Sequence, residues 1–383
     1  MSKGRGLPKV CFVTPSYPPV IGGISGAAAR IVKFLAESFE VHVFTFSKCN
    51  PLGEELITST EENGLHVYRV KVLPESSTMI MSFAMRHAIQ EADKAASFEL
   101  FQGFFLPLAY LCVSIAEKDR RPVIASFRGS DSVVWMGDPW YRDIVKSVLR
   151  RTSWVTMVST DQLERISALE PIADRASVIM NSIDRAAFPK WRLSNENHGI
   201  VGTVGEFRVM KNIPLLIESY AELDSGLRRK LILVGDFTEE DPKLKSEEAI
   251  NRLGLSSEVQ VTGMLPDIGE ISRHLLSMRV FALCSTHEGS PNALLEAAAV
   301  GVPLVATNVG GMRDMLKDGD NALLIPPNDQ RRLTDAIDSV LRDDGLAVSL
   351  SEGALRLAES LKPAHEKKAW LDLYHRLLPR SCA

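Results

Sequence analysis

Short apolar runs of strand length alternate with stretches of helical period along most of this 383-residue chain. Lys9-Val-Cys-Phe-Val-Thr-Pro15 reads as a strand. The glycine-bearing loop from Pro18 to Gly26 follows it, and a helix over 27–38 leads to a second strand at 41–46. Apolar residues then recur at Met81, Ala84, Met85, Ala88, Ala92 and Ala95, the spacing of a helix with one buried face. The run 100–115 reads as a buried strand, a turn and a helix, and 123–127 and 154–159 add two strands. A polar, Asn-rich stretch at 194–198 has the look of a linker, and a new start follows at Gly199-Ile-Val-Gly-Thr-Val-Gly205. Beyond it the pattern predicts helices over 213–223 and 244–253 and strands at 230–235, 259–262, 280–284 and 304–307. Strand–helix alternation in both halves is the grammar of doubly wound α/β sheets, with a division near 192.

Composition narrows the class. A chain with 45% apolar and 24% charged residues is an ordinary globular protein, and its length exceeds one ordinary core. The apolar run 100–115 holds Gln102, Gly103 and Pro107 and falls short of the roughly 20 residues that a membrane-spanning helix needs. The net charge of −4 argues against general nucleic-acid binding. Residues 1–190 carry 22 Lys and Arg against 20 Asp and Glu, and the remainder 22 against 28, so the totals are 44 and 48. The slightly basic first half leaves peripheral contact with an anionic membrane surface open. Five scattered cysteines, odd in number and without Cys-x-x-Cys, speak against a disulfide framework or a zinc site and for a reducing, cytoplasmic compartment. The first residues run into a strand, not into a signal-type apolar segment.

The candidate chemistry is concentrated in the second half. Glu288 and Glu296 stand eight residues apart in Thr-His-Glu-Gly-Ser-Pro-Asn-Ala-Leu-Leu-Glu. Ser290 and Pro291 supply N-cap and N1 residues for a helix that Gly301 and Pro303 close. Glu288 therefore ends a strand of a βαβ unit, where open parallel sheets bind ligands. Glu296 lies among Leu294, Leu295, Ala297, Ala298 and Ala299, in a helix apolar nearly all round. An ionised carboxylate there needs a partner, either a structural cation or the hydroxyls of a ligand. Arg208 and Lys211 stand between a strand and a helix in Gly205-Glu-Phe-Arg-Val-Met-Lys-Asn212. Cations at a helix start oppose its dipole, which suits anion binding better than a structural role. Gly22 and Gly23 follow the first strand and permit close backbone approach, or simply turn the chain; they do not form Gly-x-Gly-x-x-Gly. Arg128-Gly-Ser-Asp131 follows the strand at 123–127. Asp318-Gly-Asp320 sits in a turn-rich string, and the histidines show no ligand spacing, so no metal is expected.

The segment from Ser285 through Gly311, with Glu-x7-Glu, Gly-x-Pro and Val-Gly-Gly, resembles the nucleotide-sugar site of the retaining GT-B glycosyltransferases grouped as family 4. The resemblance implies two Rossmann-like domains facing across a cleft. Residues 1–192 would bind the acceptor, 193–363 the nucleotide sugar, and the helix in 364–383 would return to the first domain. It implies transfer of a sugar from a nucleotide-diphosphate sugar to a hydroxyl of a glycan, a lipid-linked acceptor or a small natural product, with retention and without a metal or other cofactor. Glu296 would then accept hydrogen bonds from the ribose. Glu288, with Gly289, Ser290, Pro291 and Asn292, would hold the sugar, while Arg208 and Lys211 would neutralise the diphosphate beside Gly22 and Gly23. Glu288, Arg208 and Lys211 form the catalytic group in this reading. Glu206 occupies the family's usual Arg place, so the contact passes to Arg208. Arg128 stands where many relatives have His, which makes Arg128 and Asp131 candidates for sugar or acceptor contact. Phe104, Phe105, Trp135, Trp140 and Tyr141 would shape the acceptor side or merely pack.

Four other functions compete. A sugar phosphorylase or a nucleotide-sugar epimerase would use the same anion site. A nicotinamide-dependent oxidoreductase shares the fold grammar but lacks its glycine fingerprint. A non-catalytic nucleotide-sugar-binding protein would explain Arg128.

Overall fold

Residues 6–48, 55–62, 64–73, 75–129 and 138–378 are described by a computed structural model of the chain. They divide into two compact units, Met1–Met180 with Ala364–Ala383, and Asn181–Pro363. The first unit runs β1 (Lys9–Val13), α1 (Gly23–Leu35), β2 (Glu40–Lys48), β3 (Ile57–Glu62), β4 (Leu65–Val72), α2 (Thr78–Ala96), β5 (Leu100–Phe104) and α3 (Leu106–Ala116). It continues with β6 (Val123–Ser126), α4 (Pro139–Arg151), β7 (Trp154–Met157), α5 (Thr160–Ser167) and β8 (Ala176–Val178). Its sheet has the order β3-β4-β2-β1-β5-β6-β7-β8 and is parallel except for the β3–β4 pair.

The second unit runs β9 (Ile200–Phe207), α6 (Ile213–Ala221), β10 (Lys230–Phe237), α7 (Glu240–Arg252), β11 (Val259–Val261), α8 (Ile268–Ser277), β12 (Val280–Leu283) and α9 (Asn292–Val300). It ends with β13 (Leu304–Thr307), α10 (Met312–Met315), β14 (Leu323–Ile325), α11 (Gln330–Arg342) and α12 (Asp344–Ser360). The sheet order is β11-β10-β9-β12-β13-β14, all parallel. Strand order reverses between β9 and β12, and the crevice beyond the carboxyl ends of those two strands is where doubly wound sheets take ligands.

Burial on both faces accounts for the continuous apolar strands. Val10 and Phe12 of β1 pack with Ile31 and Leu35 of α1, while Cys11 and Val13 pack with Met85 and Ile89 of α2 and Ala109 of α3. The last helix, α13 (Pro363–Leu377), adds Trp370, Leu373 and Tyr374 to the first of these cores. No helix among the described residues is long and apolar enough to cross a membrane.

The break between the units falls at Met180 and Asn181, ahead of the boundary expected near 192. Residues 181–192 pack with the second unit. The buried Trp191 donates its indole N–H to the Met278 carbonyl at 2.8 Å and its backbone N–H to the Val300 carbonyl at 2.8 Å. The Asn-rich stretch is an ordered turn, in which Asn197 donates to the Arg192 carbonyl at 2.8 Å. Its polarity serves local hydrogen bonds, not a linker.

A buried polar chain ties α13 to the first sheet. The Tyr374 hydroxyl donates to the Gln102 side-chain oxygen, Gln102 donates to Ser126 Oγ at 2.8 Å, and Thr156 donates to the same oxygen at 2.8 Å. All four side chains are fully buried, so each bond replaces water that the interior does not hold. Tyr374→Phe removes the donor and strands the Gln102 oxygen, which costs roughly 1–3 kcal/mol. Urea denaturation of the variant should show a lowered midpoint, and an unchanged midpoint contradicts this.

Candidate active site

Three loops, following β9, β12 and β13, are stitched together at the strand-order reversal of the second unit. After β9, Arg208 precedes a single 3-10 turn, Val209–Lys211, and the Lys211 side chain folds back over Gly205. After β12, the Cys284 thiol donates to the carbonyls of Lys211 at 3.5 Å and Asn212 at 3.3 Å. Burial pushes that thiol up to about 12, which keeps it a neutral donor. The Thr286 N–H meets the Met210 carbonyl at 2.8 Å, and Thr307, at the end of β13, donates to the Ser285 carbonyl at 2.6 Å. The Gly311 N–H closes on the Glu288 carbonyl at 2.9 Å. A Cβ at Gly310, whose φ is +48°, would stand 2.0 Å from that carbonyl oxygen, so the approach requires glycine.

These stitches bring Lys211 and Glu288 into one ion pair. Lys211 Nζ lies 2.6 Å from Glu288 Oε1, and Ser285 Oγ donates to the same oxygen at 2.6 Å. The two charged side chains are only 12% and 9% exposed. The family resemblance assigned them to different parts of a donor and did not join them. Arg208 is half-buried, and its Nε has no hydrogen-bond partner among the described residues.

Glu296 sits in α9 between fully buried neighbours, Leu295 and Ala297. No hydrogen bond or ion pair holds its carboxylate among the described residues, so the structural-cation alternative is not realised there. Desolvation raises its pKa to about 7 from the ordinary 4.5.

The start of α9 differs from the expectation. Its N-cap is Pro291, without a side-chain cap, and Asn292 opens the helix. Ser290 Oγ is instead an acceptor for the Asn181 N–H at 3.3 Å, a contact across 109 residues that no local pattern signals. Sequence reasoning missed Asn181 for that reason. Gly289 and Pro291 are buried beside it.

In the first unit, Gly22 has φ 149° and caps α1, which starts at Gly23, ahead of the expected 27. The Arg128 guanidinium lies 4.6 Å from the centroid of the Phe104 ring. Asp131 and Trp135 lie outside the described residues. Phe104 is core, Tyr141 packs against the core, and Trp140 is 70% exposed.

Asp318 accepts the Leu324 N–H at 2.8 Å and Asp320 pairs with Arg356 at 2.7 Å, so both have structural partners. His42 and His66, which share no ligand spacing in sequence, are cross-strand partners whose rings stack with centroids 4.4 Å apart. Glu40, His42 and His66 bring three potential ligand atoms within 4.8 Å of one another. The Glu40 carboxylate already meets His42 Nε2 at 3.0 Å and Lys9 Nζ at 3.3 Å.

A raised carboxyl pKa favours the folded state while the group is protonated, and that advantage is lost as pH rises toward about 7. Glu296→Gln keeps the neutral form at every pH. The variant should melt above the wild type at pH 8, with the gap closing toward pH 4.5. A difference that does not vary with pH contradicts the assignment.

Residues 21–187 match the model described as Glycosyltransferase Family 4, and residues 184–356 match Glycosyl transferases group 1. The N-acetyl-alpha-D-glucosaminyl L-malate synthase of Bacillus anthracis is 24% identical over 351 residues, which is 88% of this chain and 89% of that protein. Sucrose-phosphate synthase from Thermosynechococcus elongatus superposes with a TM-score of 0.82 at 16% identity, covering 97% of this chain and 99% of that one. Anabaena HepE, solved with UDP and glucose, superposes with a TM-score of 0.79 at 19% identity, covering 96% and 99%. With its two parallel-sheet α/β units, the chain belongs to the GT-B glycosyltransferases of family 4, its second half being a group 1 domain.

Proposed function

We propose that the chain transfers a sugar from a nucleotide-diphosphate sugar to an acceptor hydroxyl with retention of configuration and without a metal. The observation that carries this reading is the set of charges gathered at the second unit's strand-order reversal. It comprises an arginine whose buried Nε has no partner among the described residues, a lysine held by one carboxylate, and a second carboxylate that likewise has no partner there. The unpartnered Glu296 suits ribose hydroxyls as donors, and their hydrogen bonds would favour its ionised form. Arg208 and Lys211 supply the positive charge that a departing diphosphate develops a need for, in place of a metal ion. Membership of family 4 supports retention. The solved complexes of Anabaena HepE with UDP and with UDP-glucose make UDP the first nucleotide to try.

Glu288 has one oxygen engaged by both Lys211 and Ser285. A carboxylate so engaged is a weakened nucleophile, which favours a scheme without a covalent glycosyl-enzyme of the glycosidase kind. In that scheme the acceptor hydroxyl attacks from the face that the diphosphate leaves. Its proton passes to a phosphate oxygen, and Glu288 holds the sugar.

A thermal-shift screen against UDP, GDP, ADP, dTDP, NAD and orthophosphate, with and without EDTA, tests the donor class. One nucleoside diphosphate should stabilise the protein, insensitive to EDTA. A response to NAD alone, or to none, overturns the reading. With a matching donor, Arg208→Ala or Lys211→Ala should lower turnover by about 100-fold or more while the fold is kept. Near-normal turnover in both variants contradicts the assignment.

A further inference from the structure

We infer that Asn181 is a positioning residue for the donor sugar, setting the Ser290–Asn292 turn from the other end of the second unit; the inference rests on the donor reading above. Asn181 is the first residue of that unit and only 5% exposed. Its backbone N–H donates to Ser290 Oγ at 3.3 Å. Its Nδ2 donates to the Ser290 carbonyl at 3.1 Å and to Asn292 Oδ1 at 2.9 Å. A carboxamide nitrogen has two hydrogens, so these two bonds use its whole donor capacity on one turn.

At its helix end the turn lacks a side-chain cap, the N-cap of α9 being Pro291. Asn181 does not satisfy the helix N–H groups as a Ser or Asp N-cap does, but its donated bonds fix the start of the first turn from outside. It also fixes the Asn292 side chain.

Asn181 is itself held in place. Two residues on, the Ile183 N–H donates to the Leu361 carbonyl at 3.0 Å. The chain enters the unit at Asn181 and leaves it after Pro363, so this bond ties the entering strand of chain to the departing one. Asn181 makes no bond to Arg208, Lys211 or Glu296 among those described. Its effect should therefore fall on the sugar that the 289–292 turn holds and spare the nucleotide.

Asn181→Asp keeps the shape but turns an acceptor toward two acceptors, and Asn181→Ala removes the donors without adding charge. The probes are the nucleoside diphosphate that stabilises the wild type and its glucose conjugate, followed by calorimetry and by hydrolysis of the conjugate. Both variants should bind the nucleoside diphosphate within about twofold of the wild type. Affinity for the conjugate, or its rate of hydrolysis, should fall roughly tenfold or more, the scale of an unmet buried hydrogen bond. Equal loss for both probes marks a merely structural residue and overturns the inference, as does no loss for either. Wild-type protein that binds no nucleoside diphosphate overturns the donor reading itself, and this inference with it.

Discussion

The buried pair of Lys211 and Glu288 is the interaction on which the second unit's site depends. A lysine and a glutamate so shielded from water lose hydration that their attraction alone need not restore. What keeps them together is the surrounding stitching. The Ser285 hydroxyl shares the carboxylate, the Cys284 thiol and Thr286 N–H hold the turn that carries the lysine, and Gly311 fixes the Glu288 backbone. The pair thus reports the joint register of three loops. Under the proposed donor reading it also stores a cation that diphosphate oxygens would take over, with the same charge-assisted geometry.

Much of this was legible locally. Arg208, Lys211, Glu288 and Glu296 each stand just after a strand or in the helix that follows, and the strand–loop–helix rhythm identifies such places without a structure. What was not legible is every pairing across sequence distance. Lys211 reaches Glu288 over 77 residues, and Asn181 reaches Ser290 over 109. Periodicity encodes which face of an element is buried but not which loop meets which. The same limit hid the stacking of His42 on His66, which depends on the register of β2 against β4.

Local propensity also misled in two places. Ser290 and Pro291 have the chemistry of a helix start, yet the tertiary bond from Asn181 takes the serine oxygen and the helix opens one residue later than a Ser290 cap would place it. The polar string at 194–198 imitates a linker, whereas the true division precedes it because Trp191 is buried in the second unit. In the first unit the strands were readable from burial on both faces. Arg128 there places its guanidinium over the Phe104 ring, a cation–π contact that a neutral imidazole would not make.

The most direct measurement is calorimetric binding of the stabilising nucleoside diphosphate to Glu288→Gln and Lys211→Met. If Lys211 is a diphosphate cation restrained by Glu288, removing the glutamate charge frees it. The Gln variant should then bind the nucleoside diphosphate at least as tightly as the wild type, and the Met variant should lose roughly tenfold or more. Equal, severe loss in both variants would show that the pair only supports the fold and would contradict the account.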